Sequence, residues 1–252
     1  MARELRRLLI DPQRLEAERL ALSREESHYL GRVLRLGPGG RFAVVDGCGR
    51  LWSAALAEAG WAVLEQSLER PLQQQAPARV PLELALAMPR RDGEVVLRMA
   101  TELGVDAFRL VRAERSVLRG AEAGEGEVPS RWRTIVREAA EQCERLWLPR
   151  WQDSCPATEL FGHSGPGVRL LATTRHGGLP ALEDLLAGAD PLALEQGITL
   201  AIGPEGGWSE EEEGTAAGGG WQAVTLGEGI LRSSTAAVAG VARLAALRCA
   251  GA

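Results

Sequence analysis

The chain contains no lysine; all 29 of its basic residues are arginine. A GC-rich genome is a sufficient cause of that bias. It nevertheless leaves any phosphate or base recognition to guanidinium groups, whose planar forks suit it. Histidine and cysteine are sparse, at three and four residues. His28, His163 and His176 form no His-x-x-x-His pair, and Cys48, Cys143, Cys155 and Cys249 show no Cys-x-x-Cys spacing. Neither a zinc site nor a disulfide framework is expected, so the thiols should be reduced and no metal bound. No apolar run approaches the roughly 18 residues of a membrane span. The opening Met-Ala-Arg-Glu-Leu-Arg-Arg lacks an apolar signal core, so a cytoplasmic protein with no membrane partner is expected. Positive charge is short as well. The net charge is −5, with 11 arginines against 10 acids in residues 1–75 and 18 against 24 in the remainder. A site for nucleic acid must then be local rather than a field over the whole molecule. The P-loop Gly-Lys-Ser/Thr and the dinucleotide Gly-x-Gly-x-x-Gly are also missing, which counts against nucleotide enzymes of those types.

At 252 residues the chain can hold one large domain or two modest ones. Residues 1–70 read as a small, mostly β unit. Strands are predicted at 6–10, 41–46, 50–56 and 61–68, with turn signals at Gly37-Pro-Gly-Gly and Gly47-Cys-Gly. Ser23 followed three residues later by Glu26 starts a helix. Short strands with frequent turns suggest a small barrel. Residues 71–79, rich in glutamine and proline, read as a linker. From residue 80 the pattern changes to strands alternating with helices. Strands are predicted at 80–88, 107–113, 168–172, 198–202 and 223–226. Helices are predicted from about 94 to 103, from 130 to 144 and from 179 to 187, then after Ser209 and over 235–248. In the first of these helices Val95, Val96, Met99 and Leu103 are expected inward; in the second, Trp132, Ile135, Val136, Ala139 and Cys143. The Gly/Glu-rich stretch 120–127 reads as a loop. This alternation argues a parallel α/β sheet.

Two loops stand out in the second half. The apolar run 198–202 ends at Gly203-Pro-Glu-Gly-Gly-Trp-Ser, and Ser209 with Glu212 has capping-box spacing. Residues 203–207 are therefore a strand-to-helix loop with free backbone amides. A second loop, Leu226-Gly-Glu-Gly-Ile-Leu-Arg232, follows another short strand and leads into an Ala-rich helix. The two can sit together at the edge of one sheet, where open α/β sheets bind ligands. Either loop alone is compatible with ordinary turn chemistry. Arg109, Arg112, Arg115 and Arg119 read first as solvated positions on a strand and loop, with phosphate contacts as the functional alternative. Most of the seven tryptophans read as core, with Trp208 the exception because it flanks the first loop.

Together the loops closely resemble the 16S ribosomal RNA (uracil-N3) methyltransferase family of the SPOUT superfamily. The similarity extends to Ser27-His-Tyr-Leu…Val33-Leu-Arg-Leu, Ala100-Thr-Glu-Leu-Gly-Val, Glu114-Arg-Ser and Glu141-Gln-Cys-Glu-Arg145. The resemblance implies a PUA-like RNA-binding β-barrel over 1–70, the linker, and a SPOUT α/β domain over 80–252 ending in a trefoil knot. It also implies S-adenosylmethionine as donor, and a uridine of 16S ribosomal RNA or the assembled small subunit as acceptor. Donor contacts are expected from Thr173, Ile202, Gly203, Pro204, Glu205, Gly206, Gly207, Leu226, Gly227, Ile230, Leu231, Thr235 and Ala236. RNA contacts are expected from His28, Arg32, Arg35, Arg90, Arg91, Arg115 and Arg145. Arg232 is expected to orient the base or a phosphate. Glu205 is a candidate for the proton step, or else closes the loop by accepting amide hydrogen bonds. A homodimer is expected, with Gly240 in the last helix allowing close approach of a second backbone. The chain departs from the family at Gly229 and Ser234, where an Arg and a Glu are usual. That reads as the loss of a structural pair, with Ser233 or Ser234 capping the helix. The alternatives are a non-catalytic RNA-binding protein on a SPOUT scaffold, and a SPOUT methyltransferase acting on another RNA.

Overall fold

The computed structural model describes residues 5–58, 60–118, 120, 126–174 and 177–250, the last two by backbone alone. Most of the loop expected at 120–127 lies outside these residues, as do Arg119, His176 and the Cys249 side chain. The chain forms two compact units. One comprises Met1–Pro77 with Ala140–Leu148; the other comprises Ala78–Ala139 with Pro149–Ala252.

The first unit contains β1 (Arg7–Leu9), β2 (Leu15–Glu16), β3 (Arg19–Ala21), helix α1 (Arg24–His28), β4 (Arg41–Val45), β5 (Arg50–Leu56), β6 (Trp61–Leu64) and β7 (Gln73–Gln74). The strands make one sheet in the order β1-β4-β5-β6-β3-β2, with β7 added to β5. Among the described residues only the β1–β4 pairing in it is parallel. Ser23 caps α1 through the predicted capping box with Glu26, and a π turn over Tyr29–Val33 follows. Phe42, Val44, Trp52, Ala54, Leu20 and Leu64 are buried on one face of the sheet. Ala43, Val45 and Leu51, on the other face, are covered by Leu146. A strand buried on both faces loses its polar alternation, which is why β4 and β5 read as near-continuous apolar runs. The covering segment 140–148 was assigned by sequence to the second half. It is anchored to the first unit by Glu141, whose carboxylate accepts the Leu9 N–H at 2.7 Å, and by the Arg7–Glu144 ion pair at 2.7 Å. The expected linker is corrected too: β7 falls inside it and pairs with β5. The strand expected at 61–68 ends at Leu64.

The second unit contains β8 (Leu82–Leu86), α2 (Gly93–Glu102), β9 (Ala107–Arg112), α3 (Ser130–Gln142, whose last three residues belong to the first unit), β10 (Arg150–Pro156), α4 (Ala157–Gly162), β11 (Val168–Ala172), α5 (Leu182–Ala187), α6 (Pro191–Glu195), β12 (Ile198–Ile202), α7 (Glu210–Gly218), β13 (Gln222–Val224) and α8 (Ser233–Ala250). All six strands are parallel, in the order β10-β9-β8-β12-β11-β13. β8 and β12 are apolar nearly throughout, as a sheet covered on both faces requires. α2 and α8 pack together and α8 lies on β8 and β12; α4 packs with α7. Beneath α4 and α7 the Phe161 ring meets Trp208 and Trp221 edge-on, each with centroids 5.0 Å apart. The inward face of α2 is Val96, Leu97, Ala100 and Thr101, while Val95 is 40% exposed. The expected face was one position out of phase. In α3 the buried residues are Trp132, Val136, Ala139 and Ala140, and Ile135 and Cys143 sit at the margin. Gly240 is buried in α8, where a Cβ would lie 2.5 Å from Leu200 Cδ2. It serves packing of α8 on β12, not approach by a second chain. No helix among the described residues is long and apolar enough to cross a membrane.

Candidate active site

The C-terminal ends of β11, β12 and β13 open into a cavity of about 670 Å³, within the range of small-molecule sites. Both glycine loops line it. β11 lies between the two strands that carry them, and it adds Ala172, Thr173 and Thr174 to the wall.

Each wall is fixed by contacts the sequence explains locally. The first loop is anchored by α7. Ser209 caps that helix, its hydroxyl accepting the Glu212 N–H at 3.3 Å, while Glu212 Oε2 accepts the Ser209 N–H at 2.8 Å. The other oxygen of Glu212 accepts the Glu114 N–H at 2.8 Å. This buried carboxylate thus has both oxygens bonded, at the positive end of a helix. The indole of Trp208 donates to the Ala172 carbonyl at 3.2 Å, joining the loop to the end of β11. Trp208 is 5% exposed, so it belongs to the core under the loop, as the other buried tryptophans do, and not to an exposed flank. Arg115 Nη1 donates to the Trp208 carbonyl at 2.9 Å. Glu205 Oε1 accepts the backbone N–H of Arg90 at 2.8 Å.

Two glycines of this loop answer to geometry. Gly207 has φ +73°, a region only glycine enters without strain. At Gly206 a Cβ would lie 2.9 Å from Arg115 Cβ, so the two backbones approach as closely as they do only because no side chain intervenes. In the second loop the Thr225 hydroxyl accepts the Gly227 N–H at 3.2 Å and donates to the Gly227 carbonyl at 2.8 Å, closing a tight turn.

Of the residues singled out by sequence, Thr173, Ile202, Gly203, Pro204, Glu205, Gly206, Gly207, Leu226, Gly227, Ile230, Leu231, Arg232, Ala236, Arg91 and Arg115 line this cavity. Thr235 does not: it is exposed, turned away by helical periodicity from its neighbours Ser234 and Ala236. Arg90 lies outside the lining, with its backbone N–H held by Glu205. His28, Arg32 and Arg35 are exposed in the first unit, and Arg145, half-buried, belongs to that unit as well. Ser233 and Ser234 are the first residues of α8 and line the cavity, so they stand inside the helix instead of preceding it as caps.

Sequence reasoning missed Asp92, Thr174, Glu210, Glu213 and Thr225 in the lining. Glu213 accepts the Thr173 hydroxyl at 2.6 Å. The signal available for Glu210 and Glu213 was their i, i+3 spacing, which puts both on one side of α7. The lining carries the carboxylates Asp92, Glu205, Glu210 and Glu213 with the guanidinium groups Arg91, Arg115 and Arg232. Its polar groups thus come in both signs, around a floor of glycine and apolar side chains.

A family model described as an RNA methyltransferase domain matches residues 76–245. A second, described as an RNA methyltransferase PUA domain, matches residues 22–60. The chain is 36% identical over 247 residues to the ribosomal RNA small subunit methyltransferase E of Synechocystis sp., covering 96% of this chain and 77% of that protein. Among solved structures it is similar to a ribosomal RNA small subunit methyltransferase E from Neisseria gonorrhoeae bound to S-adenosyl methionine. That likeness has TM-score 0.79 and 27% identity, over 97% of this chain and 98% of that one. It is also similar to a probable rRNA-methyltransferase from Porphyromonas gingivalis, with TM-score 0.81 and 25% identity, over 98% and 100% of the two chains. An α/β unit with a parallel sheet, a PUA-like unit before it and a glycine-lined cavity at the strand ends agree with these matches: the chain belongs to the RNA methyltransferase family.

Proposed function

We propose that this protein transfers a methyl group from S-adenosylmethionine to N3 of a uridine in the 16S RNA of the small ribosomal subunit. The observation that carries the reading is a cavity built jointly by residues 203–207 and by residues 226, 227 and 229–232 at the ends of parallel strands. Its residues fit the adenosyl donor: Gly203, Gly206, Gly207 and Gly227 leave backbone groups open to a flat ligand, and Ile202, Leu226 and Leu231 offer apolar contact. When bound, S-adenosylmethionine would supply an electrophilic methyl group on a sulfonium. The chain's part is then to position, to exclude water and to manage one proton. N3 lies on the Watson–Crick edge of uracil, so the base must enter unpaired or flipped. Arg232, exposed on the cavity wall, is suited to orient that base or stabilise its anion. Glu205 is already engaged by the Arg90 amide, which favours loop closure over proton abstraction as its role.

The first unit is assigned to RNA, through the exposed His28, Arg32 and Arg35. A trefoil knot fits the path after β13. That strand is at the sheet edge, yet α8 packs on β12 and β8, so residues 225–232 must cross the strand ends to reach it. A homodimer now rests on family resemblance alone, and light scattering at micromolar concentration checks it. The deciding experiment is to map N3-methyluridine in small-subunit RNA from a strain lacking the protein, by reverse-transcription stops. One stop should vanish on deletion and return on complementation. An unchanged pattern of stops sinks the proposal.

A further inference from the structure

The loop at residues 203–207 is tied at both sides to the segments that carry the rim arginines. On one side Glu205 Oε1 holds the backbone N–H of Arg90, at 2.8 Å, in the segment that follows β8. On the other, Arg115, in the segment that follows β9, holds the Trp208 carbonyl at 2.9 Å. β8 stands between β9 and β12 in the sheet, so the three segments leave adjacent strand ends. Arg90, Arg91 and Arg115 are all exposed, and guanidinium groups so placed are ready receptors for phosphate oxygens. Below the loop, Trp208 is packed against Phe161 and bonded to Ala172. That core holds the base of the loop without help from Glu205. The exposed Glu205 carboxylate therefore adds little to the fold, while it fixes the distance between the loop and the Arg90 backbone.

We propose that Glu205 is a positioning residue that couples the two binding events, so that RNA held on Arg90 and Arg91 orders the donor loop and a filled donor cavity orders the RNA rim. The inference rests on the donor and acceptor assigned above. An RNA phosphate that immobilises the 89–93 segment immobilises the amide that Glu205 grips. The ordering cost of residues 203–207 is then already met when the donor binds. Linkage makes the effect reciprocal and of equal size in both directions. The Arg115 bond acts in parallel from the other side.

The test uses the full chain, S-adenosylhomocysteine as a non-reacting stand-in for the donor, and small ribosomal subunits from a strain lacking the protein. Equilibrium dialysis gives the Kd for S-adenosylhomocysteine with and without saturating subunits. Subunits should tighten it about tenfold in the wild type, a typical coupling. Glu205→Ala should bring that ratio close to one. Glu205→Gln keeps an acceptor oxygen for the Arg90 amide and should restore most of the ratio, which a loss of general packing would not allow. Arg115→Gln should lower the ratio in part. A wild-type ratio of one, or an unchanged ratio in Glu205→Ala, overturns the coupling. If wild-type protein binds neither S-adenosylhomocysteine nor subunits, the methyltransferase reading fails first and the coupling falls with it.

Discussion

Replacing Gly206 by alanine tests the donor cavity most directly. The added Cβ would lie 2.9 Å from Arg115 Cβ and 3.2 Å from the Arg115 carbonyl oxygen. Carbon atoms in ordinary contact stand about 3.5–4.0 Å apart. Both opposing atoms are at or next to the backbone, so no rotamer change relieves the overlap, and the segments must separate. Overpacking of this kind costs about 1–3 kcal/mol. Gly206 is exposed and the core under it is untouched, so the loop yields and the fold does not. The cost then appears in ligand affinity, as a Kd about 5- to 150-fold weaker at about 1.4 kcal/mol per decade. Gly206→Val should bind too weakly to detect. Calorimetry with S-adenosylhomocysteine, alongside thermal melting, makes the measurement. Gly214→Ala is the control: it lies exposed in α7 with nothing within 4 Å of the new Cβ. That change should leave affinity alone and stabilise the helix by about 0.5–1 kcal/mol. Wild-type affinity in Gly206→Ala would refute the reasoning, as would a loss that merely tracks unfolding.

Three further outcomes are expected. Gly219→Ala drives a Cβ to 1.8 Å from the Phe161 carbonyl oxygen, where α7 ends against α4; it should destabilise by about 3 kcal/mol or more, read as a lower urea midpoint. In the first unit, burial pushes the Glu26 carboxyl up, but hydrogen bonds from Arg14 and Ser23 outweigh it and hold the group below the ordinary 4.5. Its stabilisation is therefore complete above that value and is lost as pH falls through the lower folded value, so the cost of Glu26→Gln should shrink in urea titrations as the pH is taken below the ordinary 4.5; a cost that does not change with pH contradicts this. Gly229 and Ser234 both line the cavity, with open space where a Gly229 Cβ would stand. If the usual Arg and Glu are only a structural pair, Gly229→Arg and Ser234→Glu should each destabilise and the double change recover; a several-fold rise in RNA methylation from Gly229→Arg alone, at unchanged stability, argues instead for an RNA contact.

Much of the fold was legible because local physics set it. The capping boxes at Ser23–Glu26 and Ser209–Glu212 formed as read, since each is complete within one helical turn. The runs that became β8, β9, β11 and β12 were found because a parallel sheet covered on both faces leaves mostly apolar strands, interrupted here only by single polar residues such as Glu83, Arg109 and Arg169. β10 was missed. It is a polar edge strand, Arg-Trp-Gln-Asp-Ser-Cys-Pro, with an irregular register between Gln152 and Cys155, and an edge strand need not look apolar. The same limit explains residues 140–148. They continue α3 in sequence, and nothing local says that Leu146 closes the far side of β4 and β5.

The sequence by itself determined the chemistry on offer: two glycine loops after short strands, guanidinium as the only abundant cation, no clustered metal ligands, and a β unit ahead of an α/β unit. Those are properties of residue type and short-range spacing. Tertiary structure alone decided which groups share the cavity. Strand order placed β11 between the two loops and brought Thr173 to Glu213, 40 residues apart. It also gave roles that no spacing encodes. Glu212 caps its own helix and also holds Glu114, 98 residues away, and Gly240 makes room for Leu200 instead of a second chain. Such pairings depend on which strand ends become neighbours, and that is settled by the burial of the whole sheet, a sum over distant residues that no window of sequence contains.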